Sequence, residues 1–443
     1  MTKLKSYNKY LPIQYDYVSE LPEGWKLLPN IAIFQERKEK GSIDEESLSV
    51  SAIKGIIKSS DYENRKDRTS EDKSEYLIVH KGDIPYNTML MWAGAIGYSA
   101  YRGIVSPAYT VIKPKHGVEI NAKYFHYMFR TQFYRDYAKR FSYGIVDSRL
   151  RLYYTYFKRM YSIVPPLETQ NAIVDYLDRK TTQIQNFIRK KERLIELLEE
   201  RKKRSISIKL SSKENTELKY SGVAWIGNIP VDWSVLNLKY LIKQRLKYGA
   251  NEEAKEANFD EPRYIRITDF GYNGKLRKDT FRSLPLRKAK EYLLEEGDIL
   301  FARSGATVGK SFQFKGYNGL ACFAGYLIKA SPNEKFVLSN YLYLYTQSSF
   351  FDDWKSQIFN QATIENIGAD KYSVLKVIVP SIAEQKEIIR LVNIESQEFN
   401  LAISKAHIEI EKIKEYQESL ITNIVTGKLK APAIKKEKAK NER

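Results

Sequence analysis

The chain has 443 residues, 43% of them hydrophobic and 13% aromatic, and a formal charge of +19. That length gives room for two domains of ordinary size, and the one cysteine, Cys322, excludes an internal disulfide framework and a cysteine zinc cluster. No apolar run reaches the roughly 20 residues of a membrane span and the basic start lacks a hydrophobic signal core, so a cytoplasmic protein is expected, with nucleic acid the favoured polyanion partner.

In chain order, Leu21-Pro22-Glu23-Gly24-Trp25 opens a first block. Tyr76–Val79 and Tyr109–Ile112 read as strands there, bounded by Gly, Pro or Lys-Gly-Asp turn signals. Val164-Pro165-Pro166 stops the block, because proline cannot sit inside a central strand or helix. From Glu168 to about Lys209 there is neither Gly nor Pro, and Ile173, Leu177, Ile184, Ile188, Ile195 and Leu198 recur at spacings of three, four and seven. This predicts a long coiled-coil helix, a rod of roughly 60 Å. A second block begins at Ile229-Pro230-Val231-Asp232-Trp233, has predicted strands at Tyr264–Ile267 and Asp298–Phe301, and stops at Val379-Pro380. A second long helix follows from Ala383 to Thr426, with Ile388, Leu391, Phe399, Ile403, Ile410, Ile413, Leu420 and Ile424 along it. Gly427 ends that helix, and the Lys-rich tail to Arg443 is expected to be disordered.

The second half repeats the first. Val164-Pro165-Pro166-Leu167-Glu168-Thr169-Gln170 returns as Val379-Pro380-Ser381-Ile382-Ala383-Glu384-Gln385, 215 residues on, and Gly82-Asp83-Ile84 returns as Gly297-Asp298-Ile299 at the same offset. The Pro-Trp landmark returns at 208, so the second copy gains seven residues early. A period this long is a duplicated domain with its connector, not a solenoid. Each helix needs one apolar partner, and the other helix is the natural one. The first helix carries Arg179, Lys180, Arg189, Lys190, Lys191, Arg193, Arg201, Lys202, Lys203, Arg204 and Lys209 against Glu192, Glu196, Glu199 and Glu200, an excess that suits phosphate contact as well as a solvated face.

Catalytic signatures fail on inspection. Ser304-Gly305-Ala306-Thr307-Val308-Gly309-Lys310-Ser311 has Ser304 where a phosphate loop needs glycine, and no helix pattern follows it. Ser106-Pro107-Ala108-Tyr109 lacks the second proline of the adenine-holding loop of amino-methyltransferases and reads as a turn into a strand. Glu-x-Lys triplets such as Glu36-Arg37-Lys38 and Glu253-Ala254-Lys255 are expected by chance in a chain that is 29% charged. The expectation is a chain that catalyses nothing alone and binds no metal.

Taken in order, these landmarks resemble the specificity subunit of type I restriction–modification systems over about residues 15–430. The stretches Gly82–Trp92, Gly103–Tyr109, Tyr264–Asp269 and Gly297–Gly305 resemble its target recognition domains. Thr169 stands where that family usually has Glu, and Ser381 where it has a second Pro; both are natural helix caps. The resemblance implies a mixed α/β (α+β) fold. Residues 1–165 would be one target recognition domain, 166–212 a central helix and 213–380 a second target recognition domain. Residues 381–426 would be a C-terminal helix antiparallel to the first, and 427–443 a basic tail. It implies double-stranded DNA, two methyltransferase subunits and two motor-nuclease subunits as partners, with S-adenosylmethionine, ATP and Mg handled by those partners and no cofactor in this chain.

Candidate base readers are donors on loops. In the first block they are Lys54 and Lys58 around Gly55, Asn87 and Trp92, and Arg149 and Arg151 before Tyr153-Tyr154. In the second they are Arg266, Thr268, Asp269, Arg303, Ser304, Lys310, Gln361 and Thr363. Arg149 and Arg303 suit guanine, and Asn87 and Gln361 suit adenine. The plainer alternative has Thr268 and Asp269 capping a turn, Trp92 in a core and Lys58 touching only phosphate. Rival functions are a DNA-recognition module of another restriction class and a coiled-coil scaffold that reads no sequence; a weak salt dependence of DNA affinity would mark the scaffold.

Overall fold

The computed structural model describes residues 4–15, 17–42, 44–61, 72–144, 150–271, 276–359 and 366–432. The chain divides into two compact units, Met1–Lys191 with Ile408–Arg443, and Glu192–His407. Each unit therefore owns one mixed α/β block, part of the helix Leu167–Ser211 and part of the helix Ile382–Val425.

In the first unit a hairpin of Tyr10–Tyr15 and Val18–Pro22 leads to strand Lys26–Pro29, which pairs antiparallel with Tyr161–Val164. The second strand of that pair ends at Pro165, the stop read in the sequence. A three-stranded antiparallel sheet places Tyr109–Pro114 between Phe34–Arg37 and Ile84–Asn87. Helices Ala122–Arg130 and Gln132–Arg140 cover this core, and Asn121 and Thr131 cap them by accepting main-chain N–H bonds. The second unit repeats the plan. Ser234–Asn237 pairs with Lys376–Val379, and Leu327–Ala330 lies between Lys247–Tyr248 and Ile299–Ala302. Helices Ser339–Tyr345 and Ser349–Phe359 follow.

The long helices run antiparallel inside each unit. In the first, Ile173, Val174 and Leu177 share a core with Leu420, Ile424 and Val425, while Lys191 pairs with Glu409 at 2.5 Å. In the second, Ile206 and Leu210 share a core with Ile388 and Val392, and Lys209 reaches Glu395 at 3.2 Å. The C-terminal helix starts on a capping box: Ser381 Oγ accepts from Glu384 N and Glu384 Oε2 accepts from Ser381 N. That explains why serine can replace the second proline. It ends at Gly427, whose φ of +78° no β-carbon tolerates well.

The repeated motif is a clamp. Gln170, buried, accepts the Asn121 N–H (2.9 Å) and donates to the Pro165 carbonyl (2.8 Å). Gln385, equally buried, accepts the Leu338 N–H (2.8 Å) and donates to the Pro380 and Phe336 carbonyls. Each glutamine ties the end of a strand to the start of a block helix. Buried main-chain groups must find partners, and here one side chain supplies them.

Candidate nucleic-acid interface

The second landmark shapes the strand that carries the candidate donors. In His80–Asp83 and Glu295–Asp298 the glycine has a φ of +100° and +91°. The following aspartate accepts the N–H three residues back, at 2.8 and 2.9 Å. Asp83 also holds Arg37 through two bonds, and Asp298 accepts from Ser331. Strands Ile84–Asn87 and Ile299–Ala302 leave these turns and are followed directly by Thr88 and Arg303.

In the first unit the strands Leu48–Ser51 and Gly55–Lys58 form a hairpin with Lys54 and the fully exposed Ile53 at its tip. Arg130 fixes that tip. Its Nη1 donates to the carbonyls of Ser51, Gly94 and Ile96, and its Nη2 to those of Ala52 and Ile53, at 2.8–3.1 Å. Burial pushes the Arg130 guanidinium down to about 10, still protonated at neutral pH. Behind the tip, His126 is pushed down to about 3 by burial and the nearby Arg130, so it is a neutral acceptor, here for the Tyr98 N–H. Arg130 was missed in the sequence, where it is one cation on an ordinary amphipathic helix. Lys58 lies 5.8 Å from the Tyr101 ring. Arg151 donates to the Tyr153 hydroxyl, beside the exposed Tyr143 stacked on Tyr156. Residues 1–191 and 408–443, which make up this unit, hold 40 Lys and Arg against 27 Asp and Glu, so the unit carries a net positive charge.

Two expected readers in this unit are engaged elsewhere. Asn87 is buried, and its Oδ1 accepts the Met89 N–H, which caps the turn after its strand. Trp92 is half-buried and donates its indole N–H to the Met89 carbonyl. Arg149 lies outside the described residues.

In the second unit Asp269 is fully buried, and its carboxylate takes the Arg266 main-chain N–H and both arms of the Arg266 guanidinium. The pair closes on itself and caps a short 3-10 turn that leaves Thr268 exposed. Arg266 and Asp269 thus form an i,i+3 ion pair at the turn, the capping role named as the plainer alternative for Asp269. Ser304 and Lys310 flank a short turn, Gly305–Thr307, that leads into strand Ser311–Gln313, so the phosphate-loop lookalike is a hairpin. Ser106–Tyr109 likewise turns into a strand. Arg303 is half-buried, with its guanidinium 5.0 Å from the Tyr248 ring and the exposed Tyr326 beside it in the chain contacts. Gln361 and Thr363 lie outside the described residues. No group of three metal-ligating side chains occurs among the described residues, and no helix there is long and apolar enough to cross a membrane.

Comparison with known proteins gives this architecture a context. The family model described as the type I restriction modification DNA specificity domain matches residues 22–197 and 230–412. The type I restriction enzyme MjaVIII specificity subunit of Methanocaldococcus jannaschii is 24% identical over 370 residues, covering 80% of each chain. The StySPI specificity subunit of Salmonella potsdam is 28% identical over 212 residues, 46% of this chain and 44% of that protein. Among solved structures, a chain from work on complex assembly and conformational transition of the type I R-M system aligns with a TM-score of 0.61 at 14% identity. That alignment covers 92% of this chain and 99% of the other, a likeness of fold.

Proposed function

The chain belongs to the type I restriction–modification DNA specificity family, and on that premise we propose that its two units read the two halves of one interrupted, asymmetric duplex site. Its role is sequence-specific DNA recognition within a restriction–modification complex. The observation that carries the finer reading is the duplication itself: the same clamps and turns recur in both units, while the loops and side chains hung on them differ. Equal scaffolds suit equivalent placement on duplex DNA, whose groove face returns every ~10–10.5 base pairs. Unequal side chains suit different half-sites.

In this reading the long helices set the spacer between half-sites and offer docking faces to two methyltransferase subunits. Two motor-nuclease subunits complete the assembly. S-adenosylmethionine, ATP and Mg are used by those partners, and this chain supplies recognition without catalysis. The decisive experiment is co-expression with the methyltransferase partner, followed by sequencing of modified bases in host DNA. The expected result is adenine methylation at one interrupted, asymmetric motif. Methylation at a continuous motif, or none with an active partner, overturns the reading. Exchanging residues 1–165 for those of a paralogue should then change one half-site only.

A further inference from the structure

Thr88 and Arg303 occupy the same place in the two units, fixed by the same main-chain bonds. Thr88 N donates to the Ala108 carbonyl and its own carbonyl accepts from Leu152 N; Arg303 N donates to the Tyr326 carbonyl and its own carbonyl accepts from Ile367 N. The strands before them match as well, since Tyr86 bridges Ile96 and Phe301 pairs with Ser311, each 215 residues apart. The backbone is therefore one rigid post built twice. What stands on the post differs. The Thr88 hydroxyl is spent on the Ala108 carbonyl at 2.8 Å. The Arg303 guanidinium, braced over Tyr248, donates to no described residue, and its Nε is buried without a partner.

Tyr248 is itself held, because its hydroxyl accepts the Ala369 N–H at 2.9 Å. A guanidinium held over a fixed ring gives up part of its freedom before any ligand arrives. Three other arginines of this unit are engaged, although the Nε of Arg263 is likewise buried without a partner. Arg266 is closed on Asp269, Arg277 on Asp279, and Arg263 donates to the Arg277 carbonyl while lying 5.5 Å from both the Phe281 and Tyr317 rings. A donor fork that is unpaired among the described residues and oriented at the end of a strand, in a unit that reads DNA, matches the O6 and N7 acceptors of guanine in the major groove.

The geometry points to Arg303 as the specificity residue by which the second unit reads a guanine, on a post where the first unit carries no free donor. This inference rests on the half-site reading above. The test uses the full chain with its methyltransferase partner, comparing wild type, Arg303→Ala, Arg303→Lys and Arg303→Thr on the motif found by methylome sequencing. Wild type should require a guanine in the half assigned to the second unit. Arg303→Ala and Arg303→Thr should weaken the cognate site about 5- to 140-fold and relax that one position, with the first half unchanged. Replacing that guanine by 7-deazaguanine should weaken wild-type binding several-fold and leave Arg303→Ala indifferent, a double cycle that uses the intact protein as its own folding control. Three results overturn the assignment. One is a loss uniform over all sequences with a salt slope reduced by about 1, which marks a phosphate contact. Another is an unchanged motif. The third is full 7-deazaguanine tolerance by wild type. In all three the interrupted motif survives and the half-site reading stands; a wild-type complex that reads no interrupted motif removes both.

Discussion

The buried glutamines offer the sharpest test of why the sequence repeats. Methionine keeps the length and nearly the volume of glutamine but has no donor or strong acceptor. Gln170→Met leaves the Asn121 N–H and the Pro165 carbonyl without their partner, and Gln385→Met leaves the Leu338 N–H and the Pro380 and Phe336 carbonyls. The bonds at Pro165 and Pro380 are buried and the others partly so; a buried group so stranded costs about 1–3 kcal/mol and a partly buried one less. The expected loss is therefore about 1–4 kcal/mol for Gln170→Met and somewhat more for Gln385→Met, which strands one further group, with apolar contact by the thioether offsetting part of it. Against a total stability of about 5–15 kcal/mol these are large changes. Urea unfolding followed by circular dichroism would measure them, and hydrogen exchange would show faster opening at Ala122–Arg130 for the first variant and Ser339–Tyr345 for the second. Neither side chain is placed to meet DNA, so whatever folds should keep the wild-type methylation motif. A cost below about 0.5 kcal/mol for both variants would refute the clamp, because solvent or neighbours would then have to satisfy these groups.

Three further outcomes follow from the same contacts. Although burial pushes its carboxyl up, hydrogen bonds from Lys213, Ser381 and Trp233 hold Glu384 down to about 2, so its stabilisation is present above the ordinary value of 4.5 and lost as pH falls towards 2; the melting-temperature gap between wild type and Glu384→Gln should close over that window, and a pH-independent gap contradicts it. Gly427→Ala sets a Cβ at a positive φ, a strain of about 1–3 kcal/mol, and also 2.6 Å from the Pro22 ring, so by thermal melting it should cost more than alanine at Gly222, which has the same φ of +78° but open space around it. Arg130→Met frees the tip at Ser51–Lys54, and modified-base sequencing should show the first half-site degraded while the second is kept.

The features that were legible in the sequence are those whose cause is local. Proline stops, positive-φ glycines before aspartate, and two stretches of 44–45 residues with helical spacing all act through their immediate neighbours. The mixed fold and both long helices could be read on that basis. Arg130 could not, because its five acceptors come from two segments roughly 35 to 80 residues away and nothing in its own helix marks it. The division of each long helix between units was equally hidden, since Lys191 and Glu409 meet across more than 200 residues of chain. The Arg266–Asp269 pair is local and belongs with the legible features: a spacing of three between a cation and a carboxylate already describes a turn cap.

The offset between the copies shows where sequence is free to change. It is 208 at Pro22 and Pro230, 215 at Asp83 and Asp298, 218 at Ala108 and Tyr326, 217 at Asn121 and Leu338, and 215 again at Gln170 and Gln385. Each value is set by residues that make the same hydrogen bond in both units, so the anchors tolerate no slip. The changes of offset fall between these anchors, and connecting loops there accept insertions at little entropic cost. A protein built this way can change side chains at positions such as Thr88 and Arg303, or in a neighbouring loop, without disturbing the strand ends and helix starts that the anchors hold. Divergence at those positions combined with fixed anchors is what an asymmetric target requires, whereas two identical faces would read a palindrome.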